Sequence, residues 1–289
     1  MKRVVVCVDL TEYTYRAVAY GAYIAWKLGL PLEILHVVRP LDIPFEPGGF
    51  EDIIERFTSY AQEQAESQLK EIKEKVKEKV NIGASIVARV GHPVEEILEY
   101  ESEKPSLLVL SAHDSGGFLR FLIGGVSEKI ARKAQSSTLV LRPQNEALIG
   151  DVSIERILVP VDFSEFSLKA LKLAKHFSLK MKCKILLLHI FKRDAMKILT
   201  KREEDAGPLI EEWIKEAKRK LDEWAENYNA EPIFREGEPS LEILEISFSQ
   251  RADLLIMGAK GTSVSQKIML GHTTERILKT SGIPVLVAR

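Results

Sequence analysis

The sequence predicts an α/β protein of two tandem doubly wound α/β/α domains, each built on a five-stranded parallel sheet. Three observations lead there. The chain is one pattern written twice. In each copy, short apolar runs alternate with helical patterns. The apolar runs are rich in Val, Ile and Leu with few polar alternations, as in parallel strands buried on both faces. Strand–helix alternation with right-handed crossovers gives the doubly wound arrangement.

The repeat is read from four matches. Arg3-Val4-Val5-Val6-Cys7-Val8-Asp9 matches Arg156-Ile157-Leu158-Val159-Pro160-Val161-Asp162, and Leu32-Glu33-Ile34-Leu35-His36-Val37 matches Ile185-Leu186-Leu187-Leu188-His189-Ile190. Arg89-Val90-Gly91-His92-Pro93 matches Arg235-Glu236-Gly237-Glu238-Pro239, and Gly124-Gly125-Val126-Ser127-Glu128 matches Gly271-His272-Thr273-Thr274-Glu275. The offset falls from 153 at Asp9/Asp162 to 147 at Gly124/Gly271. The first copy therefore carries about six extra residues, expected within 39–49.

In copy one, strands are expected over 4–8, 32–38, 82–89, 107–111 and 138–141, and helices over 11–28, 50–79, 93–102 and 125–134. Charges on most faces between Glu63 and Glu78 mark the second helix as a solvated outer one. Pro93 and Pro239 stand where the third helix should begin, a position that proline favours. The domains are expected at 1–142 and 154–289, joined by a linker at 143–153 with Pro143-Gln144-Asn145-Glu146 at its start. A length of 289 residues suits two domains, each able to hold a core.

Composition bounds the function. Apolar residues make up 45% and charged residues 29%, an ordinary balance for a soluble globular chain and not for a disordered one. No apolar run approaches the ~20 residues of a membrane span, and the N-terminus lacks a signal-peptide pattern, so a cytoplasmic protein is expected. With 41 basic and 42 acidic residues, no global charge attracts nucleic acid or an anionic membrane. Cys7 and Cys183 both fall in apolar strand-like runs and are expected to be buried inert thiols, not a disulfide framework or a zinc site.

In a doubly wound fold, ligands bind beyond the C-terminal ends of the strands at the topological switch point. That brings together the segments after the first, third and fourth strands. After the fourth strand of copy two comes Met257-Gly258-Ala259-Lys260-Gly261, and after nine more residues Gly271-His272-Thr273-Thr274-Glu275 opens the last helix. Gly258 and Gly261 allow a tight turn and close approach to a ligand. Free amides and the dipole at a helix start favour an anion, and Thr273 and Thr274 add hydroxyl donors. These features describe a phosphate site.

The strand ending Pro160-Val161-Asp162-Phe163-Ser164 and the pattern Gly258-x2-Gly261-x9-Gly271 resemble the universal stress protein family. The resemblance covers both copies, nearly the whole chain. It implies an ATP- or AMP-binding stress-response or signalling protein, with magnesium accompanying ATP. By that resemblance Asp162 meets the base or ribose, Val161 and Met257 line the nucleoside pocket, and Gly258, Gly261, Thr273 and Thr274 surround the phosphates and ribose. It also implies that the two copies pair as a pseudo-dimer through 139–141 and 285–287, and that chains pair further as a homodimer. No protein partner can be named from the sequence.

Two departures from the family pattern stand out. His272 follows the last glycine where the family usually has Ser or Thr; its amide still serves phosphate, and its ring covers the site or adds charge when protonated. In copy one, Ser111 and Asp114 replace the first two glycines. A carboxylate near phosphate costs about 1 kcal/mol in water and about 4 at an effective dielectric near 20, so copy one is expected to bind nucleotide poorly.

His36 and His189 repeat at the end of the second strand, which points to a shared packing or hydrogen-bond role. Trp213 and Trp224 are expected to pack, as large aromatics at helical spacing usually do. An ATP hydrolase or nucleotidyl transferase is the rival reading, with Glu275 and Asp162 on magnesium and Lys260 and Lys267 on phosphate, but no Gly-x4-Gly-Lys-Ser/Thr loop occurs and no catalytic residue is assigned. A phosphoacceptor receiver domain fails, because copy two ends its third strand at Phe234-Arg235 and its fifth at Ala288-Arg289, without the aspartate and lysine it needs.

Overall fold

The computed structural model describes residues 1–40, 51–112, 125–142, 147–193, 203–261 and 270–289. The chain divides into two compact units, Met1–Ser153 and Ile154–Arg289. Unit 1 runs β1 (Arg3–Val8), α1 (Thr14–Leu28), β2 (Leu32–Val38), α2 (Glu51–Val80), β3 (Ala84–Val90), α3 (Pro93–Ser102), β4 (Ser106–Ser111), α4 (Val126–Lys133) and β5 (Ser137–Leu141). Unit 2 runs β6 (Arg156–Val161), α5 (Glu165–Met181), β7 (Lys184–Phe191), α6 (Glu203–Tyr228), β8 (Glu231–Glu236), α7 (Pro239–Ser249), β9 (Leu254–Gly258), α8 (His272–Thr280) and β10 (Val285–Ala288).

The strand order is β3-β2-β1-β4-β5 in unit 1 and β8-β7-β6-β9-β10 in unit 2. Every pairing between these neighbours is parallel. The order reverses between the first and fourth strands of each unit, and this reversal is the switch point. Central strands are buried along their whole length, as β1 and β9 are, because helices cover both faces. The outer strands β3 and β8 are the least buried.

Local chemistry sets the helix ends. Pro93 and Pro239 each open a helix, where a missing N–H costs nothing. Helix α1 ends at Gly29 in the left-handed region, φ 66°, where Leu30 N–H reaches Ala25 O at 2.9 Å. Helix α2 is solvated on most of its surface, yet it buries one stripe, Ala65, Leu69, Ile72 and Val76, at spacings of one turn. Charge counting along the sequence hides this stripe.

Some expectations need correction. Helix α1 begins at Thr14, three residues later than its pattern suggests. The extra residues of copy one were assigned to 39–49, most of which lies outside the described residues; α2 has 30 residues against 26 in α6, so part of the excess lengthens the helix. Trp213 is 50% exposed, not packed. Trp224 is partly buried, its ring edge-on to Phe163 at 5.3 Å. Cys183 stands just before β7, not within it.

Both cysteines are free and buried. Burial, aided by the Glu101 charge, pushes the Cys7 thiol up to about 12. Burial also pushes Cys183 up to about 11. At pH 8 such values leave about one part in ten thousand of Cys7 and about one in a thousand of Cys183 as thiolate, the reactive form. A disulfide-exchange reagent at pH 8 should therefore label neither cysteine in the native chain within minutes, and both in concentrated guanidinium. Rapid native labelling would contradict this core.

Candidate functional site

The two strands at the switch point of unit 2 part company early. β6 pairs with β9 only at Ile157↔Leu254 and Leu158↔Leu255. In unit 1 the matching ladder continues to Cys7↔Leu110. Pro160 occupies the position of Cys7 and has no N–H for a ladder. On their outer sides the unit 2 strands stay paired to their ends, through Val161↔His189 and Gly258↔Ala288. A crevice thus opens between the C-terminal ends of β6 and β9.

Two glycines shape its floor, by space and not by dihedral angle. A Cβ on Gly258 would lie 2.7 Å from the carbonyl carbon and 2.8 Å from the carbonyl oxygen of Phe166, so α5 rests its first turn directly on the end of β9. A Cβ on Gly261 would lie 2.5 Å from Asp162 Oδ2. Neither glycine is among the positive-φ residues, so the tight turn expected of them is in fact close packing.

Helix α8 is fastened onto this floor. Gly271 N–H donates to Ala259 O at 2.8 Å, and Thr274 Oγ1 donates to Gly258 O at 2.9 Å. The helical ladder begins with Glu275 N–H to Gly271 O at 2.9 Å. The N–H groups of His272, Thr273 and Thr274 thus belong to the first turn, outside the ladder, where an anion is favoured. Thr274 corrects an expectation. Its hydroxyl, buried and spent on Gly258, binds helix to strand and has no hydrogen left for a ligand. Thr273 is half-buried and His272 exposed.

The segment after β6 folds back by a local turn. Asp162 Oδ1 accepts Ser164 N–H at 3.1 Å, and Phe163 sits in the left-handed region at φ 62°. Its ring lies on the His189 imidazole, centroids 4.4 Å apart. His189 Nδ1 donates to Val161 O at 2.8 Å; a carbonyl only accepts, so Nδ1 carries the proton. His36 makes the same bond to Val8 O at 2.8 Å, the shared role its repetition suggests. Burial drives the His189 pKa below its ordinary value, against the pull of the Val161 bond and the Asp162 charge.

A cavity of about 240 Å³ fills the crevice. Ten of the twelve expected site residues line it: Pro160, Val161, Asp162, Met257, Gly258, Gly261, Gly271, His272, Thr273 and Thr274. Phe163 and Ser164 do not; Phe163 packs outward on His189, and Ser164 caps α5 by accepting Ser167 N–H at 3.1 Å. Ser167, Ile190, Pro239 and Ile243 also line the cavity, unassigned in the sequence, and Lys260 lines it too. Pro239 had a visible signal as the start of the helix after the third strand. Ile190 and Ile243 had none, since they read as core. Among the described residues no group of three or more His, Cys, Asp or Glu could hold a metal ion. No described helix is long and apolar enough to cross a membrane.

Unit 1 is built differently at the same place. Ser111 stands where Gly258 does, and its buried Oγ has no hydrogen-bond partner among the described residues. Helix α1 begins at Thr14, the counterpart of Ser167, whereas α5 begins two positions earlier at Glu165 with a Ser164 cap. A local turn precedes α1: Asp9 Oδ1 accepts Thr11 N–H at 3.1 Å and the Thr11 Oγ1 hydroxyl at 2.7 Å, and Thr14 N–H donates to Thr11 O at 3.1 Å. Asp114, Gly124 and the boundary segment 143–146 lie outside the described residues, as does Lys267.

The model of the universal stress protein family matches residues 1–142 and 153–289. A universal stress protein of Methanocaldococcus jannaschii is 32% identical over 157 residues, covering 48% of this chain and 96% of its own. One of Mycobacterium bovis is 24% identical over 298 residues, covering 99% of this chain and 96% of its own. The crystal structure of a universal stress protein from Archaeoglobus fulgidus has the same fold, with a TM-score of 0.66 at 21% identity over 99% of this chain and 96% of that one.

Two measurements probe this geometry. Gly258→Ala should lower stability by about 1–3 kcal/mol, because backbone must move, while Gly282→Ala, with open space around it, should change little in the same denaturant titration. His189 is held neutral in the fold. As pH falls below about 6.5 the unfolded chain takes up a proton that the folded chain refuses, so stability falls until the lower folded pKa is passed. The drop in Tm between pH 7.5 and pH 5 should shrink in His189→Gln.

Proposed function

Because the chain belongs to the universal stress protein family, we propose that it is a stress-response or signalling protein whose second unit binds an adenine nucleotide, AMP or ATP. The observation that carries this reading is the crevice at the switch point, with an apolar wall on one side and a glycine-lined helix start on the other. Val161, Met257, Ile190 and Ile243 offer a flat apolar surface to a purine. Asp162 offers carboxylate oxygens to the ribose hydroxyls or the exocyclic amine, groups that donate.

The phosphates fall to the other side. The backbone approaches closely at Gly258 and Gly261, and the first-turn amides of α8 present donors in a favourable field. Lys260 adds a cation. Glu275, a candidate magnesium ligand by sequence, holds Lys279 at 2.8 Å. Magnesium bound with ATP would rest on the phosphates and Asp162, as this ion commonly does with one carboxylate. The role is to hold and release the nucleotide, with no catalytic residue assigned. Unit 1 is a partner domain with its site remodelled around Ser111.

Equilibrium dialysis of AMP and ATP against the full chain should give about one nucleotide per chain, one working site. Gly261→Asp should weaken binding by about tenfold or more, since its side chain would collide with Asp162 and bring a second negative charge. Two nucleotides per chain would overturn the assignment to unit 2 alone. No binding of either nucleotide would overturn the reading itself.

A further inference from the structure

Resting on that reading, we infer that His272 makes nucleotide binding proton-linked, so that the site takes a phosphate-bearing ligand more tightly in mild acid than in mild base. His272 is the first residue of α8 and lines the cavity, yet its side chain is exposed. It is thus reachable both by the ligand and by solvent protons. The N-cap beside it, Gly271, is pinned by its bond to Ala259 O at 2.8 Å and packs against the 260–261 backbone, so the backbone that carries the ring is fixed at the rim of the glycine floor. Lys260 also lines the cavity, and its backbone lies beside Gly271, so the lysine and His272 stand on adjoining segments of one rim. Imidazole is the side-chain type whose charge changes between about pH 5 and 8.

The field around the ring makes its charge conditional on the ligand. A helix start disfavours a cation, and so does Lys260. The negative charges nearby are Asp162, which also lines the cavity, and Glu275 one turn along α8; on the neighbouring α7, Glu242 lies against Gly237. Glu275 is engaged by Lys279, and Arg276 adds a further positive charge on α8. A phosphate group arriving at the first turn of α8 brings a negative charge beside the imidazole, which favours the protonated ring. Whatever favours the protonated ring when ligand is bound must, by linkage, favour the ligand when the ring is protonated. Nothing in the apolar wall titrates, so the effect belongs to the phosphate and not to the base.

The test is calorimetric titration of the full chain with AMP, ATP and adenosine at pH 5.5 and pH 8.5, for the wild type and His272→Gln. Comparing the two proteins cancels the titration of the phosphate itself. Between pH 8.5 and pH 5.5 the wild type should gain affinity for AMP or ATP about threefold to tenfold more than His272→Gln does. Near pH 6.5 the wild type should take up more protons on binding than the variant, read from two buffers of different ionisation enthalpy. Adenosine should show no difference between the proteins. Parallel pH profiles for the two proteins, or an adenosine response equal to that of AMP, would overturn the proton linkage while leaving nucleotide binding intact. If the wild type bound none of the three, the functional reading would fail and this inference with it.

Discussion

The geometry of unit 2 depends on one close contact: the first turn of α5 lies on Gly258 with no space for even a methyl group. The Asp162–Ser164 turn is local and common to both units: Leu10, the counterpart of Phe163, has φ 59° beside 62° for Phe163, and Asp9 Oδ1 accepts Thr11 N–H as Asp162 Oδ1 accepts Ser164 N–H, each at 3.1 Å. In unit 2 this turn lays the Phe163 ring on His189 and leaves Asp162 over Gly261, where a second side chain would collide with it. Thr274 then bonds the carbonyl of Gly258, so α8 is referenced to the same residue. The end of β9 and the starts of α5 and α8 thus all meet at one glycine.

Pro160 supplies the complementary constraint. It ends the β6·β9 ladder, and the strands splay where a parallel sheet would otherwise close. The two copies within this chain form a natural comparison. With Cys7 and Ser111 in these places, unit 1 keeps its ladder to Cys7↔Leu110 and begins α1 two positions late. A doubly wound sheet offers a switch point in either case. In unit 2 a proline ends the ladder and a glycine admits the first turn of α5, and the crevice lies between them.

Much of the fold was legible because its signals are local and repeated. Strands β2 and helix α3 match their expected bounds residue for residue, since an apolar run edged by turns and a Pro at N1 leave little freedom. The start of α1 differs from its pattern because Asp9 and Thr11 hold 9–13 in a hydrogen-bonded turn, Thr11 N–H and Oγ1 both donating to Asp9 Oδ1, before the helix begins. At the site, the glycines could be read from spacing, and Asp162 and Met257 from the family resemblance. The reason for the glycines could not: sequence suggests freedom of φ, and the structure shows crowding by Phe166 and Asp162. Thr274 was read as a ligand donor because a hydroxyl at a helix start looks available, and only the fold reveals that Gly258 claims it. Ile190 and Ile243 were invisible because a cavity wall and a core share one vocabulary. The apolar stripe of α2 hid for the opposite reason, four small or aliphatic residues among many charges.

The most direct test of the account is a crystal structure of the full chain grown with AMP. The account predicts one nucleotide per chain, in the crevice between the ends of β6 and β9. Its purine should lie against Val161 and Met257, and its phosphate at the Gly258–Gly261 turn and the first turn of α8. A nucleotide bound in unit 1, or elsewhere on unit 2 with this crevice closed by side chains, would contradict it.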